Sequence, residues 1–228
     1  MRGKLIVVEG TDCSGKETQT NLLLERLREK GLKVKKYSFP NYNSATGKIV
    51  GGPYLGKSYI CNGWFPEGAS RVEPEVSSLY YAADRKYNIW LINEDLNNGF
   101  NVILDRYVYS NMAHQGGKLD TSEERDRMFK WLEKLEFELL ELPKADIKVF
   151  LHMPYGASLK LKESRAKNEE MDQLESSKEH LLKAERAYLE LSDKYDFYKI
   201  ECAIGNDAKS IEDINLELYD YIIKQLEK

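Results

Sequence analysis

The chain is short of cysteine, of surplus positive charge and of long apolar runs, and each shortage closes off a class of function. Its three cysteines, Cys13, Cys61 and Cys202, are odd in number and far apart, which argues against a disulfide framework and matches no metal-ligand spacing. Reduced thiols are expected. Acidic residues outnumber basic ones by 38 to 34, for a net charge of −4, so the broad basic footprint that duplex or membrane-surface binding requires is missing. No nucleic-acid or membrane partner is expected. Only Leu5-Ile6-Val7-Val8 forms an apolar run before Glu9, too short for a signal-peptide core or a membrane span, and the expected location is cytoplasmic. The 228 residues, 42% hydrophobic and 32% charged, suit one domain over 1–228 with a sizeable core. There is no internal repeat.

That first apolar run leads into Glu9-Gly10-Thr11-Asp12-Cys13-Ser14-Gly15-Lys16-Glu17-Thr18. Two glycines let successive backbone N–H groups converge on phosphate oxygens, Lys16 adds a mobile positive charge, and the helix that follows points its positive end at the same place. This reads as a phosphate-binding loop for a nucleoside triphosphate, with Gly10 to Thr18 as the triphosphate-binding stretch. One position departs from the pattern: a hydroxyl is expected after Gly-Lys to ligate Mg²⁺, and Glu17 stands there. A carboxylate about 5 Å from a phosphate charge costs about 3 kcal/mol at an effective dielectric near 20. Glu17 therefore either ligates the metal, directly or through water, or points away. Thr18 cannot simply replace it, being about 100° further round the helix.

Further along, a helix is expected from Thr18 to Lys30 with Gly31 as its stop, then a strand over Leu32 to Phe39 ended by Pro40. Residues 51–74, with five glycines and three prolines, read as an irregular connection. Glu75 to Asn97 reads as helix and Phe100 to Leu104 as a buried strand ending at Asp105. A helix over Ser122 to Leu142, a strand over Ile147 to Leu151, a helix, charged turn and helix over Leu159 to Tyr195, a strand over Phe197 to Cys202 and a terminal helix from Ser210 complete the reading. Alternation of strand and helix predicts an α/β fold: a mostly parallel five-stranded sheet with helices on both faces, and ligands at the carboxyl ends of the strands.

Asp105-Arg106-Tyr107 follows the third strand, so its carboxylate and guanidinium face the same space as Lys16; the planar fork of arginine suits a phosphate. Tyr81 and Arg85 are one helical turn apart. A flat, polar-edged ring would fit between them, although spacing alone favours a core tyrosine and a solvated arginine. Taken in order, Glu9 to Thr18, Phe39-Pro40-x-Tyr42, Leu79 to Arg85, Asp105 to Gln115 and Leu142-Pro143-Lys144-Ala145-Asp146 resemble thymidylate kinase over nearly the whole chain.

The resemblance implies a P-loop kinase fold with a small lid, about 158–176, and transfer of the γ-phosphoryl group of ATP to dTMP with Mg²⁺, usually by a homodimer. Carried over position by position, Lys16 would hold the ATP phosphates, Asp12 would reach the sugar hydroxyl of dTMP, and Arg106 would grip the acceptor phosphate. Phe39 and Tyr42 would border the monophosphate, Tyr81 would stack on thymine, and Arg85 and Asn111 would bond its edge. His114 and Gln115 would border the sugar and base. Asp105 would act through magnesium or phosphate positioning, making Glu17 and Asp105 the candidate metal ligands. Because Cys13 leaves the loop without an arginine, Arg165 in the lid, with Lys167, would supply that charge, with Asp172 and Glu175 behind. Tyr42 stands where some relatives carry arginine, and His114 where tyrosine or phenylalanine is common. A kinase for another deoxynucleotide or deoxynucleoside, or a pseudoenzyme that binds nucleotide without transfer, is the alternative. A GTPase switch is disfavoured because Asp12-Cys13-Ser14-Gly15 is the only Asp-x-x-Gly turn and no guanine motif is present.

Overall fold

The computed structural model describes residues 2–164, 174 and 177–228. Strand β1 (Leu5–Gly10) runs into helix α1 (Lys16–Glu29), strand β2 (Val34–Ser38), short helix α2 (Ala45–Ile49) and long helix α3 (Pro74–Asn97). Strand β3 (Asn101–Asp105) then leads to helices α4 (Val108–Gly116) and α5 (Ser122–Glu133). After strand β4 (Ile147–His152) come α6 (Tyr155–Ser164), α7 (Lys178–Lys194), strand β5 (Tyr198–Glu201), a hairpin of β6 (Ala203–Ile204) and β7 (Asp207–Ala208), and helix α8 (Ile211–Leu226).

The main sheet has five parallel strands in the order β2-β3-β1-β4-β5. Side chains of a strand alternate between faces, so a strand covered on both sides must be apolar throughout. In β1, Leu5 and Val7 pack beneath α3, α4, α5 and α7, while Ile6 and Val8 pack against α1 and α8. The chain's neighbours diverge at β1, with β3 on one side and β4 on the other, and a crevice forms at such a switch point. Register then places the strand ends together: Val8 is level with Asp105, and Asp105 with Ser38.

Three sequence expectations need correcting, and one helix was not foreseen. Residues 108–116 form a helix that periodicity did not reveal, because all but one of its positions are buried and it has no wet face. The connection 51–74 is not wholly irregular. It opens on a π-helical turn, Val50–Tyr54, contains a 3₁₀ turn, Ala69–Arg71, and builds a small core from Val50, Tyr54, Leu55, Ala69, Val72 and Leu174 against Tyr42, Phe65, Tyr80 and Tyr81. The expected helix 122–142 changes pitch at Glu133 and finishes as a π-turn, Lys134–Leu139. Helix α6 begins at Tyr155 rather than Leu159. No helix among the described residues is long and apolar enough to cross a membrane.

Candidate active site

The phosphate loop bridges the end of β1 and the start of α1. Gly15 caps α1 in the left-handed region, φ 72°, where a side chain is strained. A Cβ at Gly10 would stand 2.5 Å from Ser14 Oγ and 2.9 Å from Leu151 O, so only glycine lets the loop close on β4. Thr11 fastens the loop there: its Oγ1 donates to Met153 O and accepts from Met153 N, both at 2.8 Å. Lys16 Nζ folds inward to Thr11 O at 3.0 Å and Ser14 Oγ at 3.4 Å and is only 8% exposed. Burial, with Arg106 nearby, pushes its ammonium down to about 8.

Asp105, Arg106 and Tyr107 leave β3 level with this loop. Arg106 adopts φ 68°, costly for a non-glycine residue and a device found where geometry is over-determined. Its Nη1 lies 3.4 Å from Ser110 Oγ, 3.4 Å from Tyr188 OH and 3.5 Å from His114 Nε2. Asp105 sits 3.8 Å from Lys36 Nζ and 3.5 Å from Thr20 Oγ1. Asp12 pairs with Lys162 of α6; burial works against its ionisation, but Lys162, Lys16 and Arg106 outweigh that and hold the carboxyl below its usual range.

Across the cleft, the segment between β2 and α2, with helices α3 and α4, carries the remaining candidates. The cleft measures about 610 Å³ and is bordered by Cys13, Lys16, Glu17 and Thr18 on one side and by Phe39, Tyr42, Tyr81, Arg85, Asn111, His114 and Gln115 on the other, with Asp105 and Arg106 between. That volume suits a small organic ligand. Gly10, Thr11, Asp12 and Ser14 stand behind this lining, while Glu17 and Thr18 are exposed. Spacing alone made Arg85 a solvated charge, and the structure overturns that: it is 2% exposed and paired through two nitrogens with Glu136, with Nη2–Oε1 at 2.7 Å. Tyr81 is half-buried, its ring meeting Tyr54 edge-on at 5.7 Å. Phe39 lies 6.1 Å from the ring of Tyr107, Tyr42 lies under Lys57 Nζ, and His114 stacks on His180 at 5.3 Å. Burial and the neighbouring His180 and Arg106 keep His114 well below the usual imidazole range. Arg165, Lys167, Asp172 and Glu175 lie outside the described residues.

Several contributors went unread in the sequence. Glu9 is fully buried and accepts from Tyr107 N at 2.8 Å, Ser110 N at 3.1 Å, Tyr188 OH at 3.1 Å and Ser110 Oγ. Burial raises its carboxyl above the ordinary value despite those donors. A charged residue at the end of an apolar strand was the available signal for it. Glu136, Lys36 and Lys162 carried no such mark, because each lies among other charges in sequence. Leu55, Lys57 and Leu174 also border the cleft, and only tertiary packing brings them there.

Comparison with known proteins agrees with this architecture. The thymidylate kinase family model matches residues 8–213. The Pyrococcus horikoshii protein named "Probable thymidylate kinase" is 31% identical over 228 residues, covering 99% of this chain and 98% of that one. Thymidylate kinase of Schizosaccharomyces pombe is 27% identical over 223 residues, covering 97% and 92%. A solved thymidylate kinase from Candida albicans shares the fold, with a TM-score of 0.72 at 24% identity, over 99% of this chain and 94% of that one. With the matched family spanning both the phosphate loop and the Asp105–Arg106 strand end, the chain belongs to the thymidylate kinase family, ATP-dependent phosphotransferases that act on dTMP.

Proposed function

We propose that this chain transfers the γ-phosphoryl group of ATP to dTMP in the cleft between the phosphate loop and helices α3 and α4, giving ADP and dTDP. The observation that carries the reading is the pairing of Val8 with Asp105, which brings the loop leading to Lys16 and the turn at Arg106 out of the ends of adjacent parallel strands. Two anionic tails could then meet between two cations. Phosphoryl transfer asks for alignment and charge neutralisation rather than covalent chemistry. No general base is needed, because the second ionisation of a phosphate monoester lies near pH 6 and the acceptor oxygen is already anionic at neutrality.

In this reading Gly10 to Thr18 cradle the triphosphate through backbone N–H groups, and Lys16 neutralises its bridging oxygens. Arg106 grips the acceptor phosphate. Phe39 and Tyr42 flank it, Tyr81 stacks on the base, Arg85 and Asn111 bond its edge, and Asp12, His114 and Gln115 border the sugar and base. Unpaired buried atoms support the base assignment: Asn111 Oδ1 and Gln115 Nε2 have no partner among the described residues, a cost of about 1–3 kcal/mol each that a complementary ring would offset. Arg165, from a lid of about 158–176, adds the charge that Cys13 leaves out of the loop.

Mg²⁺ fits the donor set. Glu17 and Asp105 both border the cleft and offer hard carboxylate oxygens, and Mg²⁺ usually takes one or two carboxylates with phosphate oxygens and water rather than an all-protein cage. Among the described residues no cluster of three acidic, His or Cys side chains could hold a metal without such help. When bound, the ion would neutralise charge on the transferring phosphoryl group. The whole chain would act as one domain in the cytoplasm, paired as a homodimer through the outer face of α3, where Val76, Leu79, Tyr87 and Trp90 are exposed.

An ATP-coupled assay against dTMP, dUMP, dGMP, dCMP, UMP and thymidine tests the reading. Rapid turnover of dTMP with little of the others is the expected result. Equal turnover across the panel, or none with dTMP, would sink it.

A further inference from the structure

We infer that Glu136 decides which pyrimidine the base site admits, by holding the Asn111 amide so that its carbonyl, and not its amino group, is left for the ligand. The inference rests on the reading above that Asn111 borders the base.

Glu136 is fully buried and comes within reach of the cleft wall through the π-turn at the end of α5. A carboxylate can only accept hydrogen bonds. Here Oε2 accepts from Arg85 Nε, while Oε1 accepts from Arg85 Nη2 at 2.7 Å and from Asn111 Nδ2 at 3.0 Å. Asn111 Nδ2 also donates to Ser78 O at 3.3 Å, so both amino hydrogens are committed and Oδ1 is left over. Turning the amide round would set its oxygen against two acceptors. The orientation is therefore fixed by charge as well as by packing.

One turn further along α4, Gln115 Oε1 accepts from Ser77 Oγ at 2.6 Å, which leaves Nε2 as an unused donor. The helix thus offers an acceptor at 111 and a donor at 115. A pyrimidine-2,4-dione matches that order, since its ring N3–H donates and the flanking carbonyls accept. Held in the same place, with N3 opposite Asn111 Oδ1, cytosine presents a lone pair there and would meet Oδ1 acceptor to acceptor, leaving buried polar groups unpaired. Glu136 need not touch the base to impose this choice; it is a positioning residue.

The test uses kcat/KM for dTMP, dUMP and dCMP at saturating ATP in the wild type, Glu136→Gln and Asn111→Ala. Glutamine keeps the shape but can donate to Asn111, allowing the amide to turn over. In Glu136→Gln the dTMP-to-dCMP ratio should fall at least about tenfold, carried by KM for the monophosphate, with KM for ATP within about twofold of wild type. A purely structural role would lower all three substrates alike. An unchanged ratio overturns the inference. If Asn111→Ala loses the preference while Glu136→Gln keeps it, Glu136 alone was misassigned; if Asn111→Ala keeps it, the base-site reading beneath has failed. Should Glu136→Gln not fold because Arg85 loses its counter-ion, side-chain amide exchange in ¹⁵N-asparagine-labelled wild type decides. The Asn111 amino hydrogens, identified by their absence in Asn111→Ala, should be protected from solvent before dTMP is added. Protection that arises only with dTMP would overturn the inference.

Discussion

Lys16 and Arg106 are both enclosed cations, and burial acts on them differently. For Arg106 the desolvation is outweighed by Tyr188, Glu9, Asp105 and Asp12, and its guanidinium is held above its ordinary value. Lys16 has weaker compensation and sits at about 8 instead of 10.5. Between those values the folded chain binds fewer protons at Lys16 than the unfolded chain, so stability of the ligand-free protein should rise with pH across that window while affinity for ATP falls. The shift corresponds to a burial cost on the order of 3 kcal/mol below pH 8. Lys16→Met should therefore raise the melting temperature of the ligand-free protein, by about 2–4 °C per kcal/mol recovered, while lowering turnover about 100-fold or more. Calorimetry and steady-state kinetics across pH 7 to about 10.5 check both signs; a destabilised Lys16→Met would refute the account of its burial. At this scale the cations were legible because motifs announce them. The ion pairs around them were not: Glu136 and Lys162 are ordinary members of charged stretches until the fold sets them against Arg85 and Asp12.

At the scale of elements, helix α4 is the one on which the proposed monophosphate side depends, and Glu9 binds its first turn. That carboxylate binds the N–H groups of Tyr107 and Ser110, where a helix has unsatisfied donors and a positive end. Glu9→Gln puts an amino group among donors. A loss of about 1–3 kcal/mol in urea unfolding is expected, with a rise in KM for dTMP that exceeds any rise for ATP; equal changes in both would argue against a local effect. The connection 51–74 depends on Lys118 in the same way, since its Nζ donates to Val72 O at 2.7 Å and Ala69 O at 3.1 Å. Lys118→Met should cost about 1–3 kcal/mol and speed chymotryptic cleavage beside the exposed Tyr59 and Trp64. Cleavage at the wild-type rate would show that Lys118 does not hold the segment. Neither dependence could be read from sequence, because each joins residues far apart in the chain and neither leaves a periodic trace. The strands and long helices could be read, since their apolar runs and glycine stops are local.

For the molecule as a whole, α3 buries polar side chains and exposes large apolar ones, and that has consequences for assembly. Beside the apolar Ala82, Ile89, Ile92 and Leu96, its inner face buries Ser77, Ser78, Asp84, Arg85 and Asn88, because Arg85 borders the cleft and Asp84 and Asn88 bond the segment of Asn41, Ser44 and Thr46. Its outer face presents Val76, Leu79, Tyr87 and Trp90 in one stripe at helical spacing, the last two 58% and 60% exposed, with Ile49 and Leu139 also exposed. Leu79 and Tyr87 border a shallow apolar groove with Leu135 and Leu140. Contiguous apolar surface of this kind marks an interaction site, and the proposed homodimer would bury it against its own copy. In a twofold interface each substitution acts on both copies, so a carboxylate at Trp90 would be desolvated twice and opposed by its like. Trp90→Glu combined with Leu79→Glu should therefore give a species sedimenting at 26.4 kDa at micromolar concentrations where the wild type sediments at about twice that mass. Because the substituted side chains point away from the cleft lining, the melting temperature of the monomer, rather than its chemistry, should carry most of the change. A wild type that sediments as a monomer over the same range would remove the dimer from the proposal and leave the stripe to a different partner.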